Sequence, residues 1–134
     1  MPHVTIQYTA NLDPEARMDA LCVTLAEVIR AQRDGEGQRL FPIGGTRVLA
    51  YPAQVFAVAD GAPDRAFVYL NVRIAPGREP ARVQATGEAL IAAVRSHFEK
   101  LFASRPLGIT LQIDEGAPSF DVKHSNLHPL FVRK

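Results

Sequence analysis

Several segments of the chain alternate apolar and polar residues with a period of two, which is typical of half-buried strands. The clearest is 66–74, where Val68, Leu70, Val72 and Ile74 alternate with more polar or aromatic neighbours. Pro52 interrupts one of the weaker segments, so we expect that strand to stop there. The pattern predicts strands over 3–8, 46–51, 54–59, 66–74 and 108–115.

Two segments with helical spacing lie between these strands. The first is predicted over 14–32, because Asp13 is a good N-cap and Pro14 suits the first helical position. The second begins at Pro80 and carries one apolar stripe over six turns until Arg105, where the following proline disfavours continuation. That stripe comprises Val83, Gly87, Leu90, Ile91, Val94, Phe98, Leu101 and Phe102.

An internal repeat relates the two halves of the chain. An offset of 66 residues superimposes Pro14 on Pro80, and each half then contains a strand, a proline-started helix and a strand. We therefore predict a single domain over 1–134, built from two βαβ halves at about 1–60 and 66–134. The predicted fold class is α+β, with a four-stranded mixed sheet and both helices on one face.

The other face of this sheet has an unusual composition. It would carry Thr5, Gln7, Phe67, Tyr69 and Asn71, a mixture of polar and aromatic residues that is uncommon on a fully solvated face. We therefore expect identical subunits to cover it, as in a closed ring.

Composition excludes several function classes. The 134 residues are 47% hydrophobic and carry a formal net charge of +1, which argues against a general nucleic-acid binder or a protein of acidic membrane surfaces. The single Cys22 has no partner for an intramolecular disulfide, which fits a cytoplasmic location. We expect neither a transmembrane helix nor a signal peptide.

The first two residues offer candidate chemistry. If Met1 is removed, Pro2 presents a secondary amine at the start of a strand. A fixed, partly desolvated amine can stay neutral near pH 7 and act as a base, since desolvation disfavours the charged form. The alternative is a frayed, solvated terminus, which is the ordinary state of chain ends.

Other familiar sites are not predicted. The spacing of His3, His97, His124 and His128 does not indicate a metal site. The chain has no serine in a Gly-x-Ser-x-Gly turn and no glycine-rich phosphate loop.

Four segments in register carry a resemblance to a known family. They are Pro2-His3, the run Phe41-Pro42-Ile43-Gly44-Gly45-Thr46-Arg47, the stretch from Ala66-Phe67-Val68 to Gly77-Arg78, and the ending Lys123-His124-Ser125-Asn126-Leu127-His128-Pro129-Leu130-Phe131. Together they resemble the 5-carboxymethyl-2-hydroxymuconate isomerases of the tautomerase superfamily. Two features depart from the family. The loop over 34–39 is longer and more polar than the usual connection, and the chain has extra residues at its end.

The resemblance implies a homotrimer that uses no cofactor. It implies that Pro2 is the catalytic base and that Arg47 and Arg78 bind the substrate. The implied substrate is a small unsaturated di- or tricarboxylate from aromatic degradation by the homoprotocatechuate pathway, on which the enzyme performs a 1,3-type proton shift. Guanidinium suits this substrate because its planar fork meets a carboxylate with two hydrogen bonds.

Two alternatives stay open at this point. The same residues would serve another enzyme of this fold that acts on a different keto–enol acid or an unsaturated halo-acid. A trimeric binding or signalling module without relevant catalysis is the second alternative. A binding role for Arg73, which could face the polar side of the sheet, also stays open.

Overall fold

The computed structural model describes residues 2–131 and has a four-stranded sheet at its centre. Its strands are β1 (His3–Thr9), β2 (Arg47–Ala53), β3 (Ala66–Ile74) and β4 (Leu107–Glu115), and its helices are α1 (Met18–Ala31), α2 (Pro80–His97) and α3 (Glu99–Ser104).

The strands lie in the order β2-β1-β3-β4. β1 runs parallel to β2, β3 runs parallel to β4, and the two pairs meet antiparallel between β1 and β3. Each parallel pair is joined by a helical crossover, α1 in the first and α2 with α3 in the second. The mixed four-stranded sheet that the sequence predicts is therefore confirmed, including the β3 bounds at 66–74.

Both long helices pack on the same face of the sheet. The strand residues that alternate with period two supply one side of the core, and one stripe of each helix supplies the other. Full burial of side chains of this size stabilises the fold by about 1.5–3 kcal/mol each. Fully buried members are Val4, Ile6, Val68 and Leu70 from the strands, Leu21, Leu25 and Ile29 from α1, and Leu90 and Val94 from α2.

The first helix begins later than predicted. Asp13 does not cap it, because its carboxylate accepts a hydrogen bond from the Tyr8 hydroxyl at 2.7 Å. The Asp13 backbone N–H instead closes a short 3₁₀ turn over Ala10–Leu12, and the Asp13–Pro14 peptide is cis. Arg17, in the left-handed region at φ 47°, then precedes the first residue of α1.

The second strand also differs from the prediction. Pro52 lies inside β2 and pairs with Tyr8 in the register, since an edge strand has one unpaired side where a missing N–H costs no ladder bond. The short strand predicted over 54–59 is wrong. Those residues form irregular chain, and the side chain of Val55 is 93% exposed.

The second helix divides where the sequence predicts one continuous helix. Phe98, at φ −97° and ψ 10°, separates α2 from α3 while its ring stays buried in the core. The predicted start at Pro80 is confirmed, but Phe102 is wrong as a core residue because it is 62% exposed.

The face of the sheet opposite the helices is only partly covered by the rest of the described chain. Gln7 is exposed there, and Thr5, Phe67, Tyr69 and Asn71 are half-buried. After β4 the described chain is irregular up to a short 3₁₀ turn over His128–Phe131. Within 2–131, no helix has both the length and the apolar character that crossing a bilayer requires.

Candidate active site

The candidate site residues lie at one edge of the sheet, where β1 and β2 begin and β3 and β4 end. His3 pairs with Arg47 on one side and with Arg73 on the other. At the same edge Ile74 pairs with Glu115, the last residue of β4. The segment that follows β3 and carries Arg78 leaves from this edge.

Pro2 is buried immediately before β1. Its carbonyl oxygen accepts a hydrogen bond from the backbone N–H of Arg47 at 3.3 Å, which extends the β1–β2 ladder by one step. The proline is therefore held in the sheet and is not a frayed residue. Met1, whose removal we predict from the sequence, lies outside the described residues, so the free amine stays a prediction.

The Arg47 side chain projects into the exposed part of the edge and binds His3. Its Nε donates a hydrogen bond to His3 Nδ1 at 2.7 Å. Because a guanidinium can only donate, His3 must be neutral here and carry its proton on Nε2. Partial burial, and then the positive charge of Arg47, lower the pKa of His3 below its usual value, which agrees with a neutral ring.

Arg78 is fixed by its own surroundings. Its Nε donates to the carbonyl of Leu40 at 3.2 Å, and its Nη1 donates to the carbonyl of Ala75 at 2.9 Å. The guanidinium carbon lies 4.6 Å from the centroid of the buried Phe41 ring, a cation–π geometry. Burial lowers the pKa of Arg78, and the charge of Glu115 opposes that effect. Arginine still carries its charge at neutral pH.

Of the three predicted site residues, Pro2, Arg47 and Arg78, the structure brings only the first two into direct contact. Pro2 and Arg47 are neighbours through the backbone hydrogen bond, whereas Arg78 is anchored to the segment before β2 and to the residue after β3. A cavity of about 210 Å³ opens beside His3, Arg47 and Arg73. Among the described residues that line this cavity, neither Pro2 nor Arg78 occurs.

Sequence reasoning did not assign a role to three residues at this edge. His3 is the partner of Arg47, Lys123 lines the cavity, and Gly116 lies directly against the Arg73 guanidinium. The strand alternation already places His3 on the polar face of β1 and Arg73 on the polar face of β3. The positions of Lys123 and Gly116 depend on an irregular segment and carry no periodic signal.

The site therefore combines a buried proline with several cationic side chains at the same end of the sheet. Over 2–131, no group of three or more His, Cys, Asp or Glu side chains has the geometry to hold a metal ion. Within the described part of the chain, Arg47 and Arg78 each keep guanidinium N–H groups without a hydrogen-bond partner, and such groups can bind carboxylates or stabilise negative charge on a conjugated oxygen.

Comparison with known proteins gives consistent matches. The family model described as 5-carboxymethyl-2-hydroxymuconate isomerase matches residues 2–131. A 5-carboxymethyl-2-hydroxymuconate Delta-isomerase from Escherichia coli is 30% identical over 131 residues, which covers 98% of this chain and 99% of the relative.

Solved structures agree with this match. A 5-carboxymethyl-2-hydroxymuconate delta-isomerase superposes with a TM-score of 0.94 at 43% identity and covers 100% of this chain and 95% of its own. A 5-carboxymethyl-2-hydroxymuconate isomerase from Deinococcus radiodurans R1 gives 0.87 at 36% identity, covering 98% and 95%. A symmetric trimer of fused wild-type 4-OT, with a TM-score of 0.61 at 19% identity and 92% of each chain covered, shares the fold alone.

Proposed function

This chain belongs to the 5-carboxymethyl-2-hydroxymuconate isomerase family and is an isomerase, and on that premise we propose that Pro2 is its acid–base group. After removal of Met1, the proline nitrogen takes the enol proton of a 2-hydroxymuconate-type dienol carboxylate and returns a proton to carbon. The proposed substrate is 5-carboxymethyl-2-hydroxymuconate, and the product is its keto isomer. The reaction needs no cofactor, because one group of intermediate basicity performs both transfers.

The observation that carries this proposal is the burial of Pro2 immediately before β1, where its carbonyl is hydrogen-bonded to the first residue of β2. A chain amine has a reference pKa of about 7.7–8.0, and both burial and neighbouring guanidinium charge disfavour its protonation. The resting amine would then be neutral near pH 7 and ready to accept a proton. A strand also fixes the direction of the nitrogen lone pair, which a frayed terminus could not do.

Arg47 and Arg78 have the complementary role of binding the acid groups. Arg78 keeps one fixed orientation through two carbonyls and the Phe41 ring, so little side-chain entropy remains to be lost on binding. Both guanidinium groups also stabilise the negative charge that develops along the conjugated system during proton transfer.

We further propose that the active enzyme is a homotrimer in the cytoplasm. Apolar side chains stand exposed on the open sheet side and in the last described segment, including Tyr51 at 51% and Phe120 at 83%. Exposed groups of this size are typical of surfaces that bind a partner. Multi-angle light scattering should give three times the subunit mass, and a monomer mass would contradict the assembly.

The base proposal is tested by moving the proline nitrogen into a peptide bond. An alanine inserted between Met1 and Pro2 leaves a small residue that still permits methionine removal but acylates the proline. Loss of UV absorbance from the dienol should slow by about 10²–10⁴-fold relative to wild type. Intact mass must show that Met1 is absent from the wild type. Full turnover by the inserted variant, or retention of Met1 in active protein, would contradict the proposal.

A further inference from the structure

A small cationic cavity lies on the open side of the sheet, next to the residue that follows Pro2. It has a volume of about 210 Å³, and its polar lining consists of His3, Arg47, Arg73, Asp121 and Lys123. His3 pairs in the register with both arginines, so these three side chains stand side by side on one face of β2, β1 and β3.

The cavity has more positive than negative charge. Asp121 forms an ion pair with Lys123, and the hydrogen bond from Lys123, the charge of Lys123 and, to a smaller extent, the charge of Arg47 lower the Asp121 pKa. Within 2–131, no carboxylate lies within ion-pair distance of the Arg47 or Arg73 guanidinium. Among the described residues, the Arg47 side chain donates only to a neutral nitrogen of His3. Neither guanidinium group therefore forms an ion pair within the described chain, although the Asp121 carboxylate also lines the cavity.

Arg73 has a carboxylate beside it on β4 but forms no ion pair with it. Its register partner on β4 is Asp114, whose carboxylate accepts a hydrogen bond from Asn71 at 2.6 Å. Asp114 thus interacts with Asn71 and forms no ion pair with Arg73, whose guanidinium lies against Gly116.

Gly116 leaves the space that the Arg73 guanidinium fills. A Cβ built on Gly116 would lie 2.0 Å from Arg73 Nη2, far inside a van der Waals contact. The Gly116 backbone is fixed, since its N–H donates to the Ile74 carbonyl at 3.0 Å. Any side chain at this position would displace the guanidinium from its present position.

We propose that His3, Arg47, Arg73 and Lys123 form a subsite for one carboxylate of the unsaturated substrate. A carboxylate there would accept hydrogen bonds from two guanidinium forks, and His3 Nε2–H and the Lys123 ammonium could add further donors. The inference rests on the proposed function for the identity of its ligand. It extends that function because 5-carboxymethyl-2-hydroxymuconate carries three carboxylates. Arg47 and Arg78 can bind only two of them if each guanidinium holds one carboxylate by two hydrogen bonds.

The test uses two variants that change the subsite differently. Arg73→Gln removes the charge, while Gly116→Ala keeps the charge but displaces the guanidinium. Gly35→Ala is the matched control, since its new Cβ would make only an ordinary contact, 3.5 Å from Arg82. Calorimetric binding of propane-1,2,3-tricarboxylate, a saturated tricarboxylate, gives a readout that is independent of turnover.

We expect both subsite variants to raise the Kd of this probe, and the KM of the dienol, by about 10-fold, as for the loss of a charged hydrogen bond. Equal Kd and KM values in the wild type, Arg73→Gln and Gly116→Ala would overturn the subsite.

The result also separates this inference from the proposed function. A wild type that binds the probe but leaves the dienol unchanged would contradict the proposed substrate, while the probe Kd values of the variants would still decide the subsite. A wild type that converts the dienol with KM values unaffected by either variant would remove the subsite alone.

Discussion

His3 Nδ1 accepts a hydrogen bond from Arg47 Nε at 2.7 Å, across the first paired position of β1 and β2. The backbones of the same two strands are joined one residue earlier by the bond from Arg47 N–H to the Pro2 carbonyl. Proline and arginine are thus connected twice, through the main chain and through the histidine between them. Substitutions of His3 should therefore change the orientation of the Arg47 guanidinium without unfolding the protein.

The first prediction concerns the orientation of Arg47. His3→Leu removes the acceptor, so the guanidinium loses its fixed direction and the KM for the dienol should rise by about 5- to 10-fold, consistent with one charge-assisted hydrogen bond. His3→Asn places an amide oxygen near the former Nδ1 and should restore most of the affinity. Steady-state kinetics of both variants provide the measurement. If the Asn and Leu variants behave alike, the histidine does not act through Arg47.

The second prediction concerns stability and pH. The pKa of His3 in the folded protein lies below its unfolded value, which is about 6.5. The unfolded chain therefore binds more protons between the two values, so the contribution of neutral His3 is complete above about pH 6.5 and is lost as pH falls through the folded pKa. The charged groups that face His3 are Arg47, Arg73, Asp121 and Lys123. Three of them are cations, which disfavour protonation of the ring.

Urea unfolding at pH 7.5 and pH 5 measures this effect. The wild type should lose more stability between the two pH values than His3→Asn, which has no titrating ring. Asp121 is present in both proteins, so its titration cancels in the comparison. An identical loss in the two proteins would show that His3 has the same pKa in the folded and unfolded states.

The third prediction concerns Arg78. Arg78→Lys keeps a positive charge but cannot reproduce the two fork contacts to Leu40 and Ala75 over the Phe41 ring. We expect kcat/KM to fall by about 10- to 100-fold, which corresponds to one or two charged hydrogen bonds. Arg95→Gln, an exposed arginine on α2, is the control and should leave kinetics unchanged. Wild-type kinetics in the Lys variant would mean that charge alone, without the fixed fork, suffices.

Much of the fold could be predicted because strand alternation and proline-started helices are local signals. The bounds of β3 and the start of α2 at Pro80 agree with that pattern. The late start of α1 could not be predicted, since Asp13 is a good cap by type and only the folded chain brings the Tyr8 hydroxyl to it.

Burial and the hydrogen bond to Asp13 raise the pKa of Tyr8 to about 12, so the Tyr8 hydroxyl stays protonated through neutral pH.

The residues of the candidate site likewise include some that could be predicted from the sequence and some that could not. Pro2, Arg47 and Arg78 are recognisable from sequence because they occur in motifs that resemble a family. Lys123 and Gly116 reach the site through an irregular segment, whose path depends on long-range packing and not on periodicity. The sequence therefore indicates the chemistry at the sheet edge but not the full set of cations around it.

The last prediction concerns the segment that packs on the turn before β2. Gly44 lies in the 3₁₀ turn Ile43–Gly45, and a Cβ built there would lie 2.8 Å from both Cα and Nδ1 of His128. Because one of these atoms is backbone, Gly44→Ala must displace the 3₁₀ turn His128–Phe131 or the turn that leads to Arg47. We expect faster amide hydrogen exchange over 127–131 and a KM increase of a few fold, since Arg47 follows within three residues. Gly35→Ala, whose Cβ meets no such contact, should change neither quantity. Unaltered exchange in Gly44→Ala would show that the last described turn does not depend on its contact with Gly44.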